Sequence, residues 1–512
     1  MIFGVLDGLI LALYAVAVLG VGLWAGRRER DTVDYFLGGR RQHWLAVGMS
    51  IVATEVSALT FINVPAEAFR GDWTYLQMYA GAFVGRVIVV FLLLPAFYGS
   101  EVTTVYEYLG QRFGPWTRTT ASLMYFVSRI VGSGIRLLAA SLAIATVFDW
   151  PLFWVILGIA AVAVAYTTVG GIKAIIWTDV LQAITFLGCA GIAVVLLFVQ
   201  TPGTWGDQLA AAYDAGKFHV FTWDRSSNNP NAFWVLFIHA TILNMAAFGI
   251  DQDMTQRMLT CSDLRRGQRS LLFNAFVGLP VVCLFLLIGS LLFVFFQRSG
   301  TQPPAGVLEQ TDRIFPHFIA QVIPAGYGLK GLMIAGLLAA AMSSLDSTLG
   351  AMSSSAVTDL YRPMMARRRR KAVPRQLADA CGEPHAASSS DAQILSAARW
   401  FTFGFGVLLV VVALAFSRQD KLLWAVFRWV SLVVGGMLGI FLLAVITRKR
   451  GHDRFNPVAM LSSVLLLVAL ELWQRRGEEL GGMVVIAWPW YVVMGTAWTY
   501  LLAACRSTKD QR

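Results

Sequence analysis

The sequence has 512 residues, of which 57% are hydrophobic and 14% are charged. This composition excludes a water-soluble globular protein, because about 25% of the residues in soluble domains are charged. The net charge of +11 does not indicate nucleic-acid binding, since the basic residues lie in short loops between apolar stretches. We therefore expect an all-α membrane protein that has the lipid bilayer as its solvent and no nucleic-acid partner.

Apolar stretches of about 20 residues, long enough to cross a bilayer as a helix, recur along the whole chain. They predict a single polytopic domain with thirteen transmembrane helices. In chain order these are Leu6 to Trp24, Trp44 to Phe69, Tyr75 to Tyr98, Thr119 to Val147, Pro151 to Val169, Ile176 to Val199, Phe233 to Met254, Leu271 to Phe296, Gly331 to Leu360, Ile394 to Phe416, Leu422 to Ile446, Pro457 to Trp473 and Met483 to Leu502.

Positive charge predicts the orientation, because loops rich in Lys and Arg stay in the cytoplasm. The richer set of alternate loops contains Arg27, Arg28, Arg30, Arg40, Arg41, Arg257, Arg265, Arg266, Arg269, Arg367 to Lys371, and Arg448 to Arg450. We predict a multi-pass protein of the cell (inner) membrane with its N-terminus outside and its C-terminus in the cytoplasm. The segment 361–393, which mixes arginines, prolines and serines, is predicted to be a disordered cytoplasmic linker.

The second predicted helix is polar from Thr54 to Asn63 and then reaches Pro65. Proline removes a backbone donor and disfavours continuous helix. A break here would turn backbone carbonyls toward a cavity, as in the ion and substrate sites of many transporters. The alternative is a simple proline kink that neighbouring Ser and Thr side chains stabilise.

The fourth predicted helix carries Arg129 and Arg136, which are seven residues apart and share one face. A guanidinium inside a span needs either a carboxylate partner, such as Glu55 or Asp251, or an anionic ligand. Gly132 lies between them, where a ligand or another helix can approach closely.

The sixth and seventh predicted helices also contain acidic residues. Asp179 lies near the start of the sixth helix, where it is either a first-turn acid favoured by the helix dipole or part of an ion site. In the seventh helix Gly249 marks a weak point that Asp251 and Asp253 follow. Two interrupted helices in corresponding places predict an inverted repeat, over 44–200 and 232–446, with its site at the midplane.

The ninth predicted helix has a stripe of oxygen-bearing side chains. Ala340, Ser343, Ser344 and Ser347 fall within an arc of about 100°, and Asp346 lies roughly 60° beyond its edge. Serines also serve in ordinary helix packing. A carboxylate beside three hydroxyls nevertheless favours a cation site.

Several stretches, taken together and in this order, resemble the sodium:solute symporter family. They are Asp34 to Arg40, Tyr106 to Phe113, Gly170 to Ala174, Trp177 to Asp179, Asp251 to Arg257 and Ser343 to Ser347. The resemblance implies the fold of the leucine-transporter superfamily, with two five-helix inverted repeats, one preceding helix and two following helices. It also implies a secondary active symporter rather than an enzyme.

The resemblance assigns sodium ligands by position. The main sodium site of the family is similar to the carbonyls of Ala53, Val56 and Ala340 with the hydroxyls of Ser343 and Ser344. A second site, present in some members, would involve Asp179, Ser343, Asp346 and Ser347. Asp346 stands where the family often has a hydroxyl, which leaves the ion and the stoichiometry of that site open.

For the solute, the resemblance implies Ser57 and Thr60, Gln77, Arg129 or Arg136, Phe248 as an aromatic gate, and Asp251. An arginine on the fourth helix is typical of the sialic-acid branch, whereas Ser57 to Arg70 is similar to the iodide, vitamin and monocarboxylate branch. Both branches imply a small anionic solute. Proton coupling and a non-transporting membrane sensor are the alternatives, and no obligate protein partner is evident.

Overall fold

The computed structural model describes residues 4–26, 32–168, 171–300, 303–366, 387–418, 422–479 and 486–506, and nearly all of them are helical. Within those ranges β-pairing is limited to one isolated bridge between Gln42 and Cys261. The principal helices are α1 (Val5–Gly26), α2 (Trp44–Glu55), α3 (Ala58–Arg70), α4 (Thr74–Gly99), α5 (Pro115–Phe148), α6 (Leu152–Thr167), α7 (Ile172–Gln200), α8 (Phe233–Gly249), α9 (Gln252–Leu259), α10 (Leu264–Arg298), α11 (Leu329–Ala366), α12 (Ala387–Ala415), α13 (Leu422–Ile446), α14 (Asn456–Glu479) and α15 (Trp490–Ala504).

Each of the thirteen predicted segments contains a helix, although not every helix is long enough to be a clear span. Among the described residues, nine helices are long and apolar enough to cross a membrane, and two bent pairs raise this number to eleven. The helices α6 and α15 are shorter. The count of thirteen crossings therefore stays a prediction.

Several helix boundaries differ from the sequence-based ones, including those of α7 and of the predicted linker. Helix α7 begins at Ile172, four residues before the predicted start. Helix α11 continues to Ala366 and α12 begins at Ala387, so the predicted linker loses residues to helix at both ends. Residues 367–386 of that linker lie outside the described part of the chain.

Two helices are broken, as the sequence predicts. Helices α2 and α3 meet at an angle of 57°, and so do α8 and α9. The first break lies at Val56 and Ser57, whereas Pro65 lies within the helical run of α3. The prediction that Pro65 causes the break is therefore wrong. Pro65 is the eighth residue of α3, and the unwound backbone precedes that helix.

The broken helices occupy the middle of the bundle. Helices α2 and α3 pack against α10, α8 packs against α4, and α11 packs against α2, α5 and α7. In α11, 89% of an 18-residue apolar stretch is buried, whereas in α1 only 6% of such a stretch is buried. The serine-rich helix thus lies at the centre, and α1 presents most of its surface to the lipid.

Glycines set the close approach of α3 and α10. A Cβ atom placed on Gly289 would lie 2.1 Å from the carbonyl oxygen of Pro65, which is inside the contact distance of any two heavy atoms. Because backbone would have to move, we expect Gly289→Ala to destabilise the folded chain by about 1–3 kcal/mol, the usual penalty for overpacking. The measurement is the thermal unfolding midpoint of the purified protein in detergent.

The matched control is Gly188→Ala in α7, because nothing lies within 4 Å of a Cβ atom built there. Alanine in a helix is favoured over glycine by up to about 1 kcal/mol. This control is expected to leave the midpoint unchanged or to raise it. An unfolding midpoint for Gly289→Ala at or above that of Gly188→Ala would contradict the close packing of α3 on α10.

Candidate functional site

The break between α2 and α3 releases a backbone carbonyl toward α11. The amide of Ser57 donates to the Glu55 carbonyl at 3.0 Å, whereas in a continuous helix it would bond to the Ala53 carbonyl. The Ala53 carbonyl accepts a hydrogen bond from the Ser343 hydroxyl at 2.9 Å. The unwound segment and the serine stripe are therefore in direct contact across 290 residues of sequence.

The residues predicted for the main sodium site are all buried: Ala53, Val56, Ala340, Ser343 and Ser344. Ser343 also lies 3.4 Å from the Ala340 carbonyl, and the Ser344 hydroxyl donates to the Ala341 carbonyl at 3.0 Å. Backbone carbonyls of an unwound helix coordinate Na⁺ in many secondary transporters. The structure brings Ala53 together with Ser343 and Ala340, while Ser344 bonds within its own helix.

A central cavity of about 190 Å³ lies next to this contact. Its walls come from the start of α3, from α4, α5 and α8, and from α13. A water needs roughly 10–15 Å³ of such space, so the cavity has room for a small organic molecule. Ser57, Thr60, Arg129, Arg136 and Phe248 all contribute to its lining.

One wall of the cavity is built around Arg86. This buried guanidinium pairs with Glu55, donates to Asn244 at 3.2 Å and to Asn274 at 3.0 Å, and lies 4.5 Å from the ring centre of Phe248. Glu55 also accepts a hydrogen bond from Asn274 at 2.8 Å. The charge of Glu55 is thus compensated by Arg86 and does not depend on either arginine of α5.

The two arginines of α5 have different surroundings. Arg129 Nε lies 2.7 Å from Asp251 Oδ2, and its Nη2 lies 3.3 Å from Asp253 Oδ2. Asp251 also caps α9, because its carboxylate accepts the amide of Asp253 at 3.0 Å. Arg136 lines the same cavity, and among the described residues its buried Nε and Nη1 atoms have no hydrogen-bond partner. Structural pairing therefore accounts for Arg129, and Arg136 is the arginine available to a ligand.

The model of the sodium:solute symporter family matches residues 35–380, a range that includes both broken helices and all of α11. The chain belongs to this family. Over 480 residues the symporter is 29% identical to the sodium/sialic acid symporter SiaT of Proteus mirabilis, covering 93% of this chain and 91% of the relative. It is 28% identical to the human sodium/iodide cotransporter, with 93% and 71% coverage.

A solved structure gives the same assignment for the fold. The substrate-bound, outward-open state of a Na⁺-coupled sialic acid symporter matches 99% of both chains with a TM-score of 0.82 and 26% identity. This agreement confirms the all-α fold of the leucine-transporter type. The family and these similar proteins are sodium-coupled transporters and not enzymes.

At the predicted second sodium site the symporter has a positively charged side chain, that of Arg257. Asp179 accepts hydrogen bonds from Ser50 at 2.5 Å and from Arg257 Nη2 at 3.1 Å. Arg257 also contacts Ser347 and Asp253, and only 1% of its side chain is exposed. Asp346 is buried beside Ser347 and accepts its amide at 2.6 Å. The Arg257 guanidinium thus bonds to two of the residues predicted for the second sodium site, Asp179 and Ser347.

One prediction about these residues is wrong, and one of two alternatives is excluded. Arg257 was placed in a cytoplasmic loop by its neighbours in sequence, but it lies inside the bundle on α9. Asp179 is not a first-turn acid, because α7 begins seven residues before it and the side chain is fully buried. Its ionic partner is Arg257 rather than the dipole of its own helix.

The predicted solute residues divide into two groups. Ser57, Thr60, Phe248 and Asp251 line the central cavity together with the arginines of α5. Gln77 is buried and is not among the lining residues; its amide donates to the Asn231 carbonyl at 2.7 Å and accepts the amide of Thr222 at 3.3 Å. In this conformation Gln77 holds the loop that precedes α8.

Three residues of the Arg86 cluster were not predicted from the sequence: Arg86, Asn244 and Asn274. The signal for Arg86 was present, because an arginine near the middle of the third predicted span is as costly in lipid as the arginines of the fourth. The two asparagines gave no comparable signal, since uncharged amides are tolerated inside membrane bundles. Their roles follow only from contacts made across more than 150 residues of sequence.

Proposed function

We propose that this symporter uses the sodium gradient to import a small organic anion across the cell membrane by alternating access. The observation that supports the anion is Arg136, whose buried donors face the central cavity without a protein partner among the described residues. A permanent charge inside a span calls for an opposite charge, and carboxylates match the geometry of guanidinium donors. The similar proteins act on sialic acid, iodide or monocarboxylates, all of which are anions.

The coupling would operate through the break in the first broken helix. Sodium bound by Ala53, Val56, Ala340, Ser343 and Ser344 would stabilise the unwound segment against α11. Ser57 and Thr60 follow the break and line the solute cavity, so the same event would position the solute contacts. Two ligands are coupled when both favour one conformation.

We propose one sodium ion per cycle. The second predicted site would require Na⁺ to displace the Arg257 guanidinium, which bonds to Asp179, Ser347 and Ser50. The Arg257 guanidinium already compensates the charges of Asp179 and Asp253. Its displacement would leave these buried carboxylates without a partner, which is strongly unfavourable. The sodium dependence of transport is then hyperbolic.

This stoichiometry determines whether the sodium concentration gradient or the membrane potential drives the accumulation of the solute. One sodium moving inward gains about 2.3 kcal/mol per 100 mV of inside-negative potential. A monovalent anion that moves with it loses the same amount, so the two contributions cancel. The concentration gradient of sodium, rather than the membrane potential, would then drive the accumulation of a monovalent solute.

Proton coupling is the weaker candidate for the driving ion. Glu55, Asp179, Asp251 and Asp253 each lie against an arginine. A neighbouring guanidinium favours the charged form of a carboxylate. The oxygens of Ala53 and Ser343 offer an ion site that needs no titratable group, which supports sodium rather than the proton as the driving ion. We also propose that the N-terminus lies outside and the C-terminus in the cytoplasm, and that transport needs no obligate protein partner.

A panel of solutes tests the proposal. N-acetylneuraminate, lactate, iodide and, as a neutral control, glucose are added to the purified protein in sodium or in potassium buffer, and thermal unfolding is followed. We expect at least one anion to stabilise the protein in sodium only, by about 2.7 kcal/mol at a hundredfold excess over Kd, with a hyperbolic sodium dependence. Stabilisation by an anion to the same extent in potassium, or by glucose alone, would contradict it.

A further inference from the structure

A second cavity of about 230 Å³ lies beyond the central one. Two helices line both cavities, with the change from one cavity to the other inside a single turn. On α3, Thr60 lines the central cavity and Asn63 lines the second. On α5, Arg136 lines the central cavity and Ala139 lines the second. Three residues advance a helix by about 4.5 Å. The second cavity, here called the outer cavity, is therefore the next compartment along the same pair of helices.

The lining of the outer cavity is polar and carries a net positive charge. Three arginines, Arg70, Arg313 and Arg418, are present with two carboxylates, Glu309 and Asp312. Arg70 is already paired with Glu67 and lies 3.9 Å from Asp312. Arg418 is exposed, and the buried Nε of Arg313 has no hydrogen-bond partner among the described residues. Arg313 and Arg418 are thus the cations left for a ligand.

Asn63 provides an independent sign that this cavity receives a ligand. Its side chain is 1% exposed and lines the cavity, yet neither its amide nitrogen nor its amide oxygen has a hydrogen-bond partner among the described residues. A buried amide without partners costs roughly 1–3 kcal/mol. Such a group is retained where a ligand or solvent bonds to it.

We propose that the outer cavity is a second binding site for small carboxylate anions, held by Arg313, Arg418 and Asn63, from which the solute passes to Arg136. The idea rests on the proposed function, since the outer cavity would stage the solute of the central one. Its volume is similar to that of the central cavity, 230 against 190 Å³. A solute that fits one therefore fits the other.

Bromide is the probe for the site, because its anomalous X-ray signal locates a bound monovalent anion whatever the identity of the solute. In crystals of the full chain grown in sodium bromide, we expect one peak at Arg313 and Asn63 and one at Arg136. Excess lactate or N-acetylneuraminate, soaked separately, is expected to displace the outer peak. Bromide that neither carboxylate displaces would be a halide site only and would overturn the proposal, as would the absence of an outer peak.

Variants separate the two sites. Asn63→Leu and Arg313→Gln are each expected to lower the affinity of the outer site for bromide by about tenfold, the effect of removing one donor from a charged hydrogen bond. The outer peak should therefore weaken at limiting bromide, while the Arg136 peak stays intact. Arg136→Gln should do the reverse, and Arg225→Gln, an exposed arginine outside both cavities, should change neither. An outer peak without a central one would contradict the proposed function while supporting the outer site. An outer peak that survives both Asn63→Leu and Arg313→Gln would overturn the outer site.

Discussion

Replacement of Ser343 by alanine is expected to raise the sodium concentration for half-maximal uptake by about tenfold or more. The hydroxyl lies 2.9 Å from the Ala53 carbonyl, so both oxygens border the point where α11 meets the unwound segment. Loss of one dipole that bonds to a charged group removes about 1.5–3 kcal/mol. Because only the ion should be affected, the KM for the solute at saturating sodium should stay close to that of the wild type.

The matched control is Ser353→Ala on the same helix. The Ser353 hydroxyl is also buried and donates to the Ala398 carbonyl at 2.8 Å, on the side of α12. Its removal leaves a comparable vacancy in the same element but away from the unwound segment. Equal sodium affinities in the two variants would show that Ser343 contributes packing and not a ligand.

Replacement of Arg136 by glutamine is expected to abolish anion uptake at ordinary solute concentrations while leaving sodium binding intact. Removal of one partner from a buried, hydrogen-bonded charge pair costs about 2–5 kcal/mol, so the KM should rise by at least about thirtyfold. Sodium should still raise the thermal unfolding midpoint, since the Ala53 and Ser343 contact is unchanged. Solute uptake in proteoliposomes and sodium-dependent unfolding are the two measurements.

Arg129→Gln gives the contrasting phenotype. Arg129 is paired with Asp251 and Asp253, and removal of a buried ionic partner destabilises a protein by about 3–5 kcal/mol. We therefore expect poor folding of this variant and a normal response to solute only in the folded fraction. A stable Arg129→Gln protein that has lost solute binding, beside an unaffected Arg136→Gln protein, would exchange the two roles.

The sequence predicted the break in the first broken helix and, through the family resemblance, its position near Ala53 and Val56, but it gave the wrong cause. Polar residues from Thr54 onward indicated weak helix, and Pro65 drew attention because it removes a donor. The helix breaks before Pro65, where the amide of Ser57 bonds to the Glu55 carbonyl instead of the Ala53 carbonyl. The Ala53 carbonyl accepts a hydrogen bond from the Ser343 hydroxyl instead. That exchange involves a residue 290 positions away, which no local pattern encodes.

The charged residues show the same limit. Sequence alone left Arg129 and Arg136 equivalent, with Glu55 and Asp251 as possible partners for either. In the folded chain Glu55 pairs with Arg86 and Asp251 pairs with Arg129, which leaves Arg136 facing the cavity. Arg257 was counted as a loop charge because the stretch around it is polar, and only the bend between α8 and α9 carries it into the bundle.

Solute uptake into proteoliposomes, with sodium and pH gradients imposed separately, tests the central claim most directly. The radiolabelled solute is the anion that most stabilises the protein in sodium. We predict accumulation under an inward sodium gradient at equal pH and no accumulation under a pH gradient alone. Accumulation driven by a pH gradient in the absence of sodium would contradict the account.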